Sequence, residues 1–500
     1  MAVLRPYQEE AIRRLRQSLK LGNKRPVLQL PTGAGKTRVA SAIIDLALAR
    51  RKRAIFTVPA VSLVDQTVDS FLRVGVSELG VIQQAHEMTD SSRPVQVASV
   101  QSLMRRDIPP ADLVIVDECH RMFDFVHDWM ARPEWKNVPF IGLSATPWAR
   151  GLGRHYDDLV IGETIQGLID AGHLSPFRTF APNIPDLSGV GVQGGDYIQK
   201  QLSAVMGEEK LVADVVQTWL EKGENRPTLC FAVDRAHAKH LQMSFEAVGV
   251  PTGYVDAYTK PEVREAIRRS FQAGRLEVVV NVGCLTTGVD WDVRCISLAR
   301  PTKSEMLYVQ MIGRGLRTAE GKSDCLILDH SGTTLTLGFV TDIHRDKLCD
   351  GKERGKSDPM AKERLPKPCP QCAFLKPVGM RACPSCGFAP QHGPKEIRCA
   401  DASLVELTKD KRKVEPSKRD EREFYAELLH IAMGRGYKLG WAAAKFREWR
   451  GKWPPRDWQH TVVPISPSLA TQNWVTSRAI AWAKAQPKRM DGGVYGRGVS

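Results

Sequence analysis

At 500 residues the chain is too long for a single small binding module, since domains usually run to ~100–200 residues. Hydrophobic residues make up 42% of it and charged residues 25%, ordinary globular proportions that exclude a disordered, collagen-like or coiled-coil protein. The 71 basic and 56 acidic residues leave +15, and the surplus is segregated: residues 1–350 hold 42 basic and 41 acidic side chains, residues 351–500 hold 29 and 15. Positive charge gathered on one segment points to a polyanion, and nucleic acid is expected before a membrane surface because no basic amphipathic helix with a lipid face stands out. No apolar run approaches the ~18 residues needed to span a bilayer, and the opening MAVLRPYQEE has no signal-like stretch, so a soluble, cytoplasmic protein without a membrane partner is expected.

In chain order, short β-branched runs alternate with helical stretches from Val27 to Leu143, the pattern of parallel strands joined by crossover helices. VLQL at 27–30, AIFTV at 54–58, VQVAS at 95–99, LVIV at 113–116 and FIGL at 140–143 are the predicted strands. A second series follows with TLCFA at 228–232, EVVVNV at 277–282, CISLA at 295–299 and CLILD at 325–329. The fold class is therefore α/β, two tandem parallel-sheet domains over 1–155 and 196–349, with 156–195 as the connection and TIQGLIDAG as its one amphipathic helix. Residues 350–368 hold ten charged and no aromatic side chains, the composition of a solvated linker. A cysteine module at 369–390 comes next. Residues 391–500 form a basic, mostly helical region with six of the eleven tryptophans, too many large apolar groups for a disordered tail.

Three segments carry chemistry. LPTGAGKT at 30–37 stands between a strand and a helix, the setting of a phosphate-binding loop: Thr32, Gly33, Ala34 and Gly35 turn the backbone amides inward, Lys36 faces the outer phosphates, and Thr37 can ligate magnesium. Leu30 stands where the strict pattern has glycine. LVIVDECH at 113–120 ends a buried strand with two acids; Asp117 would hold Mg2+ and Glu118 would orient and deprotonate the attacking water. QMIGRGLR at 310–317 offers Arg314 and Arg317 to the charge that spreads over a γ-phosphate, on one face if the stretch is helical. The alternative for these arginines is an ordinary exposed helix.

The same residues, in order over roughly 4–330, resemble the superfamily 2 helicases. Arg5 and Gln8 in LRPYQ resemble the adenine-reading element, LPTGAGKT motif I, and Pro59 with Gln66 motif Ia. Ser99 to Ser102, including Gln101, resemble motif Ib, DECH motif II and Ser144 to Pro147 motif III. Phe231 and Ala232 stand at motif IV, Thr286 to Asp290 (TTGVD, with Gly288) at motif V, and Gln310 to Arg317 at motif VI. The resemblance implies two RecA-like domains that close on ATP and grip a strand. It assigns Gln310, Arg314 and Arg317 to hydrolysis, Gly288 and Asp290 to the nucleotide, and His120, Ser144 and Thr146 to coupling. Pro59, Ser99, Gln101, Thr286 and Thr287 would face nucleic acid. DECH in place of DEAD, and the missing HRxGR start, favour translocation over local RNA unwinding.

Cys369-Pro-Gln-Cys372 and Cys383-Pro-Ser-Cys386-Gly, ten residues apart, look like a zinc ribbon, a closed structural Zn2+ site of four thiolates; a redox dithiol is the alternative. Motor, ribbon and tail together resemble the RadD-like branch of superfamily 2, with GETIQGLIDAGHLSP and GWAAAKFREWRGKWPP as further likenesses. That branch implies a DNA-dependent ATPase of recombination or repair in a bacterial cytosol or phage-infected cell, with single-strand-binding or recombination proteins as partners. The rival functions are an RNA helicase and an ATP-gated DNA clamp or scaffold. In the tail, Ala442, Phe446, Trp449 and Trp453 share a helical face, as either the core of a small domain or a base-stacking surface among Lys445, Arg447 and Arg450.

Overall fold

The computed structural model describes residues 4–83, 86–181, 185–285, 291–352, 365–389, 418–438 and 440–468, with Thr471, Gln472, Trp474, Val475 and Arg478 beyond. Thr286, Thr287, Gly288, Asp290 and Trp482 lie outside these described residues. Two compact units divide the chain, Met1–Gly393 and Pro394–Ser500. No described helix is long and apolar enough to cross a membrane.

The first sheet has seven strands: β1 (Pro26–Gln29), β2 (Ala54–Val58), β3 (Leu79–Ile82), β4 (Val95–Ser99), β5 (Leu113–Asp117), β6 (Phe140–Ser144) and β7 (Asp158–Ile161). All pair in parallel, in the order β3-β4-β2-β5-β6-β1-β7. The helices are α1 (Pro6–Lys20), α2 (Lys36–Leu48), α3 (Val64–Arg73), α4 (Val100–Leu103) and α5 (Asp124–Ala131). Continuous apolar strands follow from this layering, because both faces of the central strands are covered. Val27, Ile55, Val114 and Val116 pack to one side with Trp129 and Trp135, while Leu28, Phe56, Ile115 and Leu143 pack to the other.

The stretch 156–195, expected as a connection, supplies β7 to the first sheet and β8 (Phe177–Phe180) to the second, with α6 (Ile165–Asp170) between them. Thr164 caps α6 by accepting the Gly167 amide at 3.0 Å. A short antiparallel hairpin, β9 (Val192–Gln193) and β10 (Asp196–Tyr197), precedes α7 (Gln199–Met206) and α8 (Glu209–Lys222). The second sheet runs β12-β13-β11-β14-β15-β8, all parallel, from β11 (Thr228–Phe231), β12 (Thr252–Val255), β13 (Val278–Asn281), β14 (Cys295–Leu298) and β15 (Cys325–Asp329). Its further helices are α9 (Arg235–Ala247), α10 (Pro261–Gln272), α11 (Glu305–Ile312) and α12 (Thr333–Leu337).

Beyond α12 the chain returns to the first domain. The Cys349 carbonyl accepts the Gly151 and Gly153 amides at 3.1 and 2.9 Å, and Arg154 Nε donates to the Asp350 carbonyl at 2.6 Å. The charged stretch expected to be linker therefore begins anchored, and its residues 353–364 lie outside the described ones. The cysteine module, with β16 (Lys367–Pro368) paired to β17 (Leu375–Lys376), sits against the edge strand β8. Phe180 bridges to Phe374, their rings edge-on at 5.5 Å.

The second unit contains α13 (Lys418–Gly434), α14 (Gly440–Arg450) and α15 (Trp458–Thr461). Ala442 and Phe446 are buried against Tyr425 and Leu429, and Trp449 packs on Phe424 at 4.2 Å. Trp453 is 56% exposed with Arg447 4.8 Å above its ring. Of the helical stripe, Ala442 and Phe446 are core, Trp449 is half-buried against it, and Trp453 is surface.

Candidate nucleotide site between the two sheets

The loop 30–37 leaves β1 and enters α2 through two left-handed glycines, Gly33 at φ 87° and Gly35 at φ 80°. Only glycine adopts this backbone without strain. It leaves the first amides of α2 unpaired within the helix, where an anion is favoured. Tyr7 Oη and Gln8 Nε2 each donate to the Ala34 carbonyl at 2.9 Å, and Gln8 Oε1 accepts the Arg5 amide at 3.0 Å. Gln8 thus clamps the loop, and a Cβ on Gly35 would fall 2.6 Å from its Nε2. Tyr7 went unnoticed in the sequence because nothing local links it to residue 34.

Asp117 closes β5, and Glu118 follows in a left-handed conformation at φ 48°, ψ 47°. For a residue with a Cβ this costs ~1–3 kcal/mol and persists only where its surroundings hold it. Here it sets Glu118 Oε1 3.8 Å from Lys36 Nζ and Oε2 3.3 Å from His120 Nδ1. Burial, and next the Glu118 charge, push the Asp117 carboxyl up to about 7. Burial also pushes Glu118 upward, but Lys36, His120, Arg314 and Arg121 together bring it below the usual carboxylate value. The two acids are driven in opposite directions, and the surroundings of Glu118 favour its ionised form, the form a base requires. Asp117 and the exposed Thr37 hydroxyl are hard oxygen donors suited to magnesium.

His120, Ser144 and Thr146 join the second domain to this pair. His120 Nδ1 lies 2.8 Å from Ser144 Oγ, which accepts the Thr146 amide at 3.0 Å. Gln310 Nε2, from α11, lies 3.1 Å from His120 Nε2 and donates to Thr146 Oγ1 at 3.1 Å. Burial lowers the His120 pKa against the pull of Glu118.

Arg314 and Arg317 do not share a helical face: α11 ends at Ile312. Gly313 and Gly315 disfavour helix, and each is needed bare. A Cβ on Gly313 would fall 2.8 Å from Thr32 Cβ, and one on Gly315 2.4 Å from Cys325 Sγ. The resulting turns still carry both arginines to the site. Arg314 is buried and acts on Glu118, while Arg317 Cγ lies 3.2 Å from where a Gly33 Cβ would be.

A polar network missed in the sequence holds α11 in place. Asp196 accepts from Thr302 Oγ1 and the Lys303 amide, both at 2.8 Å. Thr302 Oγ1 accepts the Ser304 amide at 3.0 Å, and Ser304 caps α11 at Leu307. On the other side the buried Asp329 accepts from Ser331 Oγ and the Thr334 amide, and Ser331 meets Thr333 Oγ1, which accepts the Thr302 amide. Ser304 before an apolar run was a legible cap; Asp196, over a hundred residues away, left no signal.

Of the residues expected to face a strand, Pro59 and Ser99 are buried. Ser99 Oγ caps α4 by accepting the Ser102 amide at 3.1 Å, and Gln101 Nε2 donates to the Pro59 carbonyl at 3.0 Å from an exposed position.

In the cysteine module the Cys369–Cys386 and Cys372–Cys383 sulfurs are 3.7 and 3.6 Å apart, and all four lie within 4.8 Å of one another. A tetrahedral zinc with Zn–S of ~2.3 Å has edges of ~3.8 Å, so the set fits that ion, whereas a disulfide needs ~2.05 Å. The two halves repeat each other. Cys369 and Cys383 amides donate to Phe374 and Phe388 carbonyls at 2.8 Å, around the left-handed Ala373 and Gly387.

Residues 1–149 match the family described as the res subunit of type III restriction enzymes, and residues 210–319 match the helicase conserved C-terminal domain. The putative ATP-dependent helicase IRC3 of Saccharomyces cerevisiae is 31% identical over 373 residues, covering 68% of this chain and 53% of that protein. A 51.5 kDa protein of a Lactococcus phage is 26% identical over 486 residues, covering 92% of this chain and 99% of its own. Among solved structures, a fragment of a putative HsdR subunit of a type I restriction enzyme from Vibrio vulnificus YJ016 has the same fold, with a TM-score of 0.55 at 24% identity over 67% of this chain and 65% of that one. The chain thus spans about half the length of the yeast relative and nearly all of the phage one. Since the two matches fall on the two RecA-like domains whose α2, β5 end and α11 bring Lys36, Glu118 and Gln310 together, the chain belongs to the superfamily 2 helicases.

Proposed function

We propose that this chain hydrolyses ATP to move along nucleic acid, DNA in preference to RNA, in recombination or repair. The observation that carries the reading is the path Gln310–His120–Glu118, which ties the second domain to the water-activating group of the first. Magnesium bound with ATP would supply charge to the phosphates, held through Thr37 and Asp117. Lys36 and the loop amides bind the phosphates, Glu118 takes the proton of the attacking water, and Arg314 and Arg317 meet the charge that develops on the γ-phosphate.

DNA is favoured by the basic surplus of residues 351–500 and by the restriction-enzyme subunit that names the first family match. The four cysteines would hold one structural zinc, and ribbon and tail together support membership of the RadD-like branch. Single-strand-binding or recombination proteins are the partners this reading implies, in a bacterial or phage-infected cytoplasm.

ATP hydrolysis measured without polymer and with single-stranded, duplex and forked DNA and RNA, beside Lys36→Ala, tests the proposal. Stimulation by DNA that vanishes in the variant is expected. Stimulation by RNA alone would make the chain an RNA helicase. Hydrolysis without translocation or strand displacement would make it an ATP-gated clamp.

A further inference from the structure

The most exposed large hydrophobic side chain among the described residues is Tyr258, at 78%. It stands in the turn after β12, where its amide donates to Asp256 Oδ1 at 2.9 Å. Arg235, the first residue of α9, lies with its guanidinium carbon 5.0 Å from the Tyr258 ring centroid, while its Nε pairs with Asp256 Oδ2 at 2.9 Å. One turn along α9, Lys239 Nζ lies 3.8 Å from the Tyr254 ring centroid. Two cations of one helix thus ride on two tyrosines of the neighbouring strand and turn. Tyr258 and Arg235 border an open cavity of about 330 Å3, lined also by Gln199, Asp234, Asp256 and Val282.

Place and chemistry agree. The cavity opens at the carboxyl ends of β11, β12 and β13, the edge where parallel α/β sheets bind ligands. Its carboxylates are already engaged: Asp234 caps α9 at the His237 amide, and Asp256 accepts from Tyr254 Oη, Thr259 Oγ1, the Tyr258 amide and Arg235. What remains for a ligand is the face of Tyr258 that Arg235 does not cover, beside an arginine side chain that is paired to Asp256 yet 65% exposed. Exposed aromatics interleaved with cations are the surface on which single strands stack bases and seat phosphates. The turn is held by its hydrogen bonds to Asp256, so little ordering is needed on binding.

We propose that Tyr258, backed by Arg235, is a stacking platform for a base of the single strand, so that the second domain grips a base as well as the backbone. The proposal rests on the nucleic-acid motor reading above. The test compares binding of a thymidine oligodeoxynucleotide with an abasic one of equal length, by fluorescence anisotropy, for the full chain, Tyr258→Ala and Tyr258→Phe. The parent should prefer the base-bearing strand by about tenfold, the scale of one base on one aromatic ring. Tyr258→Ala should lose most of that preference and Tyr258→Phe keep it, with unstimulated ATP hydrolysis and thermal unfolding unchanged in both. A preference that survives Tyr258→Ala overturns the platform alone. A parent that binds neither strand overturns the motor reading with it.

Discussion

Gln310 and His120 meet across the cleft between the two parallel sheets, Nε2 to Nε2 at 3.1 Å. Through the other imidazole nitrogen His120 reaches Ser144 Oγ at 2.8 Å and Glu118 Oε2 at 3.3 Å. Any shift of α11 against the first domain must therefore break or remake a contact to the histidine that touches Glu118. Replacing Gln310 with alanine should lower polymer-stimulated turnover about tenfold or more, with ATP affinity within about twofold of the parent. Single-turnover hydrolysis beside equilibrium nucleotide binding checks this, and an unaltered stimulated rate would remove the contact from the coupling.

Glu118→Gln keeps the shape of the side chain and removes its basicity. ATP should still bind while hydrolysis falls by about 10²–10⁴, the usual contribution of a general base. Lys36→Ala should weaken nucleotide binding itself, so the two variants separate in a binding assay.

Asp196 touches no reacting group, yet it sets the turn that launches α11. Asp196→Ala should lower kcat severalfold with KM for ATP nearly constant, and Asp196→Asn, which retains an acceptor, should recover part of the loss. A pure loss of folding stability, seen in melting and not in kcat, would show that the network only holds the domain together.

His237 and His330 are buried, and burial pushes both imidazoles down to about 4. An exposed histidine titrates near ~6.5, so between pH 6.5 and 4 the unfolded chain binds more protons than the native one. Their neutral burial is therefore fully tolerated above pH 6.5, and native stability falls as pH drops through that window. Urea midpoints at pH 7.5 and 5.5 should show this decline, and His330→Leu should narrow the difference.

Metal analysis of the purified chain should find one zinc per molecule, and Cys383→Ser should lose it. Because the first knuckle packs on β8 through Phe374 and Phe180, loss of the ion should raise amide exchange along β8 while the first sheet stays protected. A chain that contains no zinc, yet keeps β8 protected, would leave the cysteines without the role assigned here.

Every strand anticipated from the sequence lies in the interior of one of the two large sheets, and the four strands of those sheets that were missed, β3, β7, β8 and β12, are their edges. An interior strand of a parallel sheet is covered on both faces and reads as an unbroken apolar run. An edge strand tolerates Gly80, Asp158, Arg178 or Gly253 and loses that signature. The phosphate loop, the adjacent acids and the cysteine pairs were legible for a related reason: each is a local device whose chemistry demands particular residues at short spacing.

What the sequence by itself determined was thus the class of fold, and it marked out the glycine-rich loop, the acidic pair and the four clustered cysteines. Tertiary structure alone decided that Glu118 is held below the usual carboxylate value, since that depends on Lys36, His120 and Arg314 converging from three segments. It alone placed Arg314 and Arg317 in turns beyond α11, because Gly313 and Gly315, on either side of Arg314, pack against Thr32 and Cys325. It alone joined Asp196 to the start of α11, because contacts between residues over a hundred apart depend on how the chain crosses in space, and periodicity along the chain carries no record of that.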